Sequence, residues 1–279
     1  MKQNYSLCLS GRRCILVPYR PEHLPNYHEW MQDPFLLEMT GSEPLTMEEE
    51  IQMQKEWRDD EKKCTFIILA RDLLPDEVDG NGEKIEIPLI PSAHIEKDDK
   101  EESYPKLIEQ TLHGMIGDIN LFLSEEDDYN SDDEANFHQQ QMFLSKPQTP
   151  AELTQAELDI MIAVESHRHK NLGTELALMM MYFGASALKL RRFYVKIKDT
   201  NNSSIKLFKE KLGFVECAYA ECFGEYEFEM KCETSDEMAE LIEQKWQSLV
   251  MKKQSTSATD GTADRNGAIY DVYECPVTD

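Results

Sequence analysis

Between Glu157 and Leu188 the chain reads ELDIMIAVESHRHKNLGTELALMMMYFGASAL. Glu157 and Asp159 are two apart at the start of an apolar run, Leu158 to Val164, that alternates with period two. Side chains two apart on a strand share one face, so either carboxylate is a candidate proton acceptor. Asp118 and Asn120 repeat this spacing in an earlier apolar run, able to position a substrate or to bond locally. After Val164 a polar turn carries Arg168, His169 and Lys170. Leu172, Gly173 and Thr174 then open a run with helical spacing: Leu172, Leu176, Met180, Phe183, Ala187. A strand that passes through a basic turn into a helix aims free backbone N–H groups and a positive dipole end at one spot, which suits a phosphate. His167, just before the turn, can face phosphate or solvent.

These groups need a frame. Arg12 to Tyr19 (RRCILVPY) reads as a strand, and Pro21 to Met31 as a short helix stopped near Asp33-Pro34. Thr46 opens another helix, with Glu49 three residues on completing a capping box, that runs to about Asp60. Thr65 to Ala70, Met115 to Leu123 and Phe193 to Ile197 read as strands. Ser204 to Leu212 reads as a helix ending at Gly213, and Val215 to Ala218 and Tyr226 to Met230 as two closing strands. The order implies a mixed α/β sheet.

The 279 residues are 41% apolar and 30% charged, with a formal charge of -25. That charge argues against general nucleic-acid binding and against an anionic membrane surface. Seven scattered cysteines without a CxxC pair or a Cys/His cluster support neither a disulfide scaffold nor a metal site. Reduced thiols fit a cytoplasmic compartment, with the nucleus as the alternative. From Arg168 to Lys211 ten basic residues face three acidic ones, a local net of +7. Solvated faces account for some of these; their concentration at the turn favours a polyanionic small molecule.

Two acidic insertions interrupt the pattern, at about 73–112 and 124–154, the second holding EEDDYNSDDE. Both are too long and polar for ordinary connections and read as disordered. A helical pattern follows over 232–252, through Met238, Leu241, Ile242, Trp246 and Leu249. The tail from 253 to 279 reads as unstructured.

Arg168-His169-Lys170-Asn171-Leu172-Gly173-Thr174 resembles the acyl-CoA-binding signature of the GNAT family of N-acetyltransferases, Q/R-x-x-G-x-G/A. Asn201 to Phe214 resembles a second family signature, an Asn followed by a helix ending in Gly-Phe. The words YHEWM (Tyr27 to Met31), GSEPLTMEEE (Gly41 to Glu50) and GDINLFL (Gly117 to Leu123) resemble the N-acetyltransferase 9-like branch. The resemblance covers 12–231 apart from the insertions. It implies the GNAT fold, a mixed, mostly antiparallel sheet flanked by helices. It also implies transfer of acetyl from acetyl-CoA to an amine, of a protein N-terminus or a lysine.

The resemblance assigns CoA to the turn Arg168, His169, Lys170, Asn171, Leu172, Gly173 and Thr174, and to Asn201 and Ser204. Arg168 and Lys170 would add charge at the phosphates. The pantetheine arm would lie along Ile162, Ala163 and Val164, whose main chain can also stabilise an oxyanion. Asp159 or Glu157 would be the base. Two positions depart from the family pattern. Asn171 replaces the first signature Gly, at a place where Asn tolerates a left-handed backbone. Phe208 stands where many members carry a proton-donating Tyr, and core packing explains it. The alternative reading is therefore a weakly active or inactive GNAT-fold scaffold that binds a protein partner.

Overall fold

The protein is described by a computed structural model at residues 1–74, 77–78, 84–85, 111–125, 153–254 and 269–274. Its frame is a nine-stranded sheet. The strands are β1 (Leu7–Ser10), β2 (Cys14–Pro18), β3 (Lys63–Ala70), β6 (Met115–Glu125), β7 (Leu153–Ile162), β8 (Arg192–Lys198), β9 (Val215–Ala220), β10 (Glu225–Lys231) and β11 (Asp271–Glu274). A separate two-residue ladder joins β4 (Glu77–Val78) to β5 (Lys84–Ile85). The large sheet runs β11-β1-β2-β3-β6-β7-β8-β10-β9, antiparallel throughout except for the parallel pair β7–β8.

Helices α1 (Leu24–Trp30), α2 (Pro34–Thr40) and α3 (Met47–Asp59) go with one face of the sheet. Tyr27, Leu36 and Met31 there share a core with Ile15, Val17, Ile67, Met161 and Ala163. The other face carries α4 (Leu172–Ser186), α5 (Asn202–Ile205) and α6 (Ser235–Gln254). Leu176, Met180 and Phe183 of α4 meet Met238, Ile242 and Trp246 of α6 over Phe66, Ile119 and Leu158. Alternating side chains along each strand divide between the two cores.

Local signals explain the boundaries. Thr46 and Glu49 form the expected capping box at α3. The short helix α2 was not anticipated, yet its signals are present. Asp33 accepts from Phe35 N at 2.9 Å, Pro34 fills the first position and Gly41 closes it at φ +63°. Lys206–Leu212 continues α5 as a π-helix up to Gly213 at φ +75°.

Three expectations change. Cys8 is disulfide-bonded, whereas Cys14, Cys64, Cys217, Cys222 and Cys232 are free. The tail is not unstructured throughout, because β11 pairs with the outer edge of β1. An exposed edge offers unpaired backbone groups, and Ile269 is buried while Tyr270 packs edge-on against Tyr182. Ser124 and Glu125 belong to β6, and Leu153 and Thr154 to β7, rather than to the second insertion, and the β4–β5 ladder lies inside the first. The remainder of the insertions, at 75–76, 79–83, 86–110 and 126–152, and of the tail, at 255–268 and 275–279, lies outside the described residues.

Candidate active site

The parallel pair β7–β8 is bonded only at Gln155↔Arg192, Ala156↔Phe193 and Glu157↔Tyr194. Beyond Glu157 the two strands continue without pairing, β7 to Ile162 and β8 to Lys198. An unpaired stretch inside a sheet leaves backbone N–H and C=O groups free for a ligand. On its other side β7 stays paired to β6, and Ala163 N still donates to Ile116 O at 2.8 Å. Gly117 is required at this join: a Cβ there would lie 1.9 Å from Met161 O.

The turn closes this stretch. His169 and Asn171 adopt φ of 59° and 60°, so the two-residue alternation of left-handed backbone comes without glycine. Asn171 is the N-cap of α4 but no side chain bonds to the opening N–H groups, so the 15-residue helix presents them uncapped. His169, Lys170 and Asn171 are exposed; Leu172 and Thr174 are buried. A Cβ on Gly173 would approach Leu207 to 2.9 Å, which explains a glycine by close packing against the π-helix.

Two arginines shape the turn. Arg13, from the strand hairpin far away in sequence, donates Nη1 to Lys170 O at 2.7 Å and Nη2 to Asn171 O at 2.8 Å. Its Nε meets Glu175 Oε2 at 3.0 Å. Arg168 does not stand over the turn as a phosphate ligand would. Its Nε donates to Ile162 O at 2.8 Å and its Nη2 to Ala163 O at 2.6 Å, with the guanidinium 4.8 Å from the Phe35 ring centroid. Val164 follows as the last residue before the short 3-10 turn Glu165–His167. Lys211 reaches across from the π-helix to Asn171 Oδ1 at 2.6 Å.

Other sequence-derived residues sit elsewhere. His167 is buried, not turned to phosphate or solvent, and its Nε2 lies 3.2 Å from Asp72 Oδ1. Asn201 accepts from Ser204 N at 3.1 Å, so this pair caps α5. Of the basic run, Arg192 is matched with Glu227 and Glu229, Lys196 with Glu157, and Lys209 with Glu216. Phe208 is buried edge-on against Phe214, as core packing requires.

The carboxylates lie on the face shared with α1–α3. Asn120 stands opposite Asp159, and Asp118 opposite Met161. Asn120 Nδ2 donates to Asp118 Oδ2 at 2.7 Å. Asp159 is half-buried; desolvation and then the charge of Glu157 raise its carboxyl to about 6. Asp118 is fully buried, and desolvation followed by the charge of Asp159 raises it to about 7. Glu157 is held 3.0 Å from Lys196 Nζ at the closed end of the β7–β8 pair. A carboxylate that changes charge near neutrality, beside an unpaired strand, suits proton abstraction; an ion-paired one does not.

The acetyltransferase (GNAT) domain family matches residues 13–215. This chain belongs to the GNAT acetyltransferase family. It is similar to an N-acetyltransferase 9-like protein of Nematostella vectensis, 37% identical over 225 residues covering 81% of this chain and 86% of that one. It is also similar to the alpha/beta-tubulin-N-acetyltransferase 9 of Homo sapiens, 34% identical over 226 residues covering 81% and 83%. Among solved structures, the spermidine N-acetyltransferase of Vibrio cholerae, in complex with CoA and spermine, shares the fold at TM-score 0.50. It is 14% identical, covering 81% of this chain and 98% of that one. The GNAT chain described here is thus an acetyl-CoA-dependent N-acetyltransferase with a mixed sheet flanked by helices. No helix among the described residues is long and apolar enough to cross a membrane.

Missed by the sequence reading were Arg13, Lys211 and the burial of Asp118. The Arg12-Arg13 doublet was visible, but its partners Lys170, Asn171 and Glu175 are more than 150 residues away.

Proposed function

We propose that this enzyme acetylates a protein amine, with α/β-tubulin as the first candidate acceptor, and that Asp159 is its base. The observation that carries the reading is the unpaired length of β7 beyond Glu157, with Asp159 two residues into it. Acetyl-CoA would meet the uncapped N–H groups of Leu172, Gly173 and Thr174 with its diphosphate. Lys170 and Lys211 supply positive charge beside them. The pantetheine arm would run along Ile162, Ala163 and Val164. Arg168 already donates to two of those carbonyls, and each keeps a second lone pair for another donor.

The acceptor comes from the α1–α3 face. Asp159, ionised above about 6, takes one proton from the bound ammonium. The freed nitrogen lone pair then attacks the acetyl carbonyl, the C–S bond breaks, CoA leaves as thiolate, and the nitrogen gives its second proton to water, which leaves a neutral amide. No tyrosine stands at residue 208 to protonate it; a thiol pKa near about 8.5 makes the thiolate a tolerable leaving group. The catalytic unit spans 12–231, with the following helix packed on α4. Tubulin as acceptor supports a cytoplasmic site of action.

Titration calorimetry of the full chain with acetyl-CoA, followed by mass spectrometry of tubulin incubated with both, tests this reading. Heat of binding and acetyl gain on tubulin are expected. A silent titration would restore the scaffold alternative.

A further inference from the structure

On the α1–α3 face, the buried oxygens without a hydrogen-bond partner among the described residues include Asp118 Oδ1, Asn120 Oδ1, Thr65 Oγ1 and Tyr19 Oη. Their residues are 2%, 2%, 1% and 0% exposed. Thr65, Asn120 and Asp118 lie close together, Asn120 being bonded to Asp118 and paired in register with Thr65. Thr65 is opposite Asn120, and Asn120 is opposite Asp159. Each buried polar atom left unmade costs about 1–3 kcal/mol, so natural interiors keep few of them and rarely in a group.

The chemistry of the group is one-sided. Oxygen acceptors dominate it, and Asn120 Nδ2 is already spent on Asp118. The ionisable groups facing Asp118 are Tyr19, just after β2, and Tyr27 from α1; Tyr27 and Glu157 of β7 face Asp159, and Glu50 of α3 faces the two tyrosines. The basic side chains nearby already have partners: His28 Nδ1 lies 3.2 Å from Glu50 Oε2, and Lys196 Nζ lies 3.0 Å from Glu157 Oε2. Among the described residues no ion pair reaches Asp118 or Asp159. An acidic pair bridged by Asn120, with spare acceptors and no cation, is built for a cation bearing several N–H donors.

We propose that Asp118 Oδ1, Asn120 Oδ1 and the Asp159 carboxylate together bind the acceptor's primary ammonium, one oxygen to each N–H. The inference rests on the amine-acetylation reading and deepens it. Asp118 and Asn120 hold the ammonium from the closed side, and Asp159, the member still open to solvent, receives its proton. A primary ammonium carries three N–H bonds and fills all three positions; a secondary amine leaves one empty. The shared chemistry covers both an α-amine and a lysine ε-amine.

The test compares binding of three short synthetic peptides to the full chain by calorimetry. One has a free α-amine and no lysine, one is the same peptide with its α-amine acetylated, and one is the acetylated peptide with a single lysine. A preference of about tenfold or more for a free-amine peptide over the blocked one is expected, and whichever amine gives it identifies the source. Asp118→Asn should erase the preference and raise KM for the peptide more than it lowers kcat. Its melting shift with acetyl-CoA should stay as in the parent. Asn120→Ser is the second variant and should weaken the preference in the same way.

Equal binding of free and blocked peptides by the parent protein, or an undiminished preference in Asp118→Asn, would overturn the cradle. Absence of a melting shift with acetyl-CoA in the parent protein would instead overturn the acetyl-CoA reading, a separate failure.

Discussion

Arg13 and Glu175 lock the turn before α4 to the loop between β1 and β2. Glu175 lies in the first turn of α4 with its side chain only 6% exposed, and it accepts from both Arg13 N at 2.7 Å and Arg13 Nε at 3.0 Å. The same guanidinium holds the carbonyls of Lys170 and Asn171. The left-handed residues His169 and Asn171 are therefore fixed by one side chain rather than by glycines.

Replacing Arg13 with Ala leaves Glu175 buried without its charge partner, at the positive end of α4. Removing one partner of a fully buried pair costs about 3–5 kcal/mol. Arg13 is 36% exposed, so a loss of about 1–3 kcal/mol is expected instead. Arg13→Lys should not rescue it, since a single ammonium cannot serve three acceptors in fork geometry. Denaturant unfolding of the parent and both variants checks this, and acetyl-CoA affinity should fall alongside stability.

Asp159→Asn should lower turnover by about 10²–10⁴ while leaving acetyl-CoA binding near the parent value. In the parent, a base with its carboxyl at about 6 works only when ionised, so kcat/KM should rise with pH through about 6 and then level. Glu157→Gln should keep that limb and move it to lower pH, because the Glu157 charge is one cause of the upward shift. An unchanged pH profile in Asp159→Asn would remove Asp159 from the reaction.

Much of this was legible from local signals. Thr46 and Glu49 announced α3, and the alternation before Val164 announced β7, because capping and period-two burial are written in neighbouring residues. Asn171 was correctly read as tolerant of left-handed backbone, and it has φ of 60°. What failed to show was long-range. Nothing near Arg168 says that its guanidinium bonds two carbonyls of the strand behind it, and nothing near Asp118 says that helices α1 and α3 cover it. The strand β11 was hidden because the Ser/Thr/Gly-rich stretch before it outweighs Ile269 and Tyr270 in composition.

Gly173→Glu should abolish stabilisation by acetyl-CoA. A Cβ there crowds Leu207 at 2.9 Å, and the carboxylate would stand where the diphosphate is proposed to bind. At a hundredfold excess over Kd a ligand stabilises by about 2.7 kcal/mol, about 5 °C or more for a chain of this length. Thermal melts with and without acetyl-CoA read the difference. An equal shift in both proteins would move the nucleotide off this turn.

Phe208→Tyr should bring no gain in rate. The ring is 5% exposed and packs edge-on at 5.1 Å from Phe214, so a new hydroxyl enters an apolar contact. An unpaired buried hydroxyl costs about 1–3 kcal/mol. A lower melting temperature with kcat unchanged is expected; a raised kcat would mean that the thiolate is reached from residue 208 after all.

Asp118 ties the site to stability through pH. Its carboxyl rises from 3.8 in the open chain to about 7 in the fold, chiefly by desolvation. Between those values the folded state binds more protons than the unfolded state, so stability must fall as pH rises from about 4 to about 7. Above that window the ionised, buried carboxylate is a standing penalty of ~4 kcal/mol, which the isosteric Asp118→Asn does not carry. The variant should therefore melt higher than the parent at pH 8 and lose that advantage at pH 4, while its peptide affinity falls. Such an opposition between stability and substrate affinity at one buried residue is what a binding site imposes and a packing position does not. Melting curves at the two pH values decide it: parallel behaviour of parent and variant would mean that folding does not raise the Asp118 carboxyl.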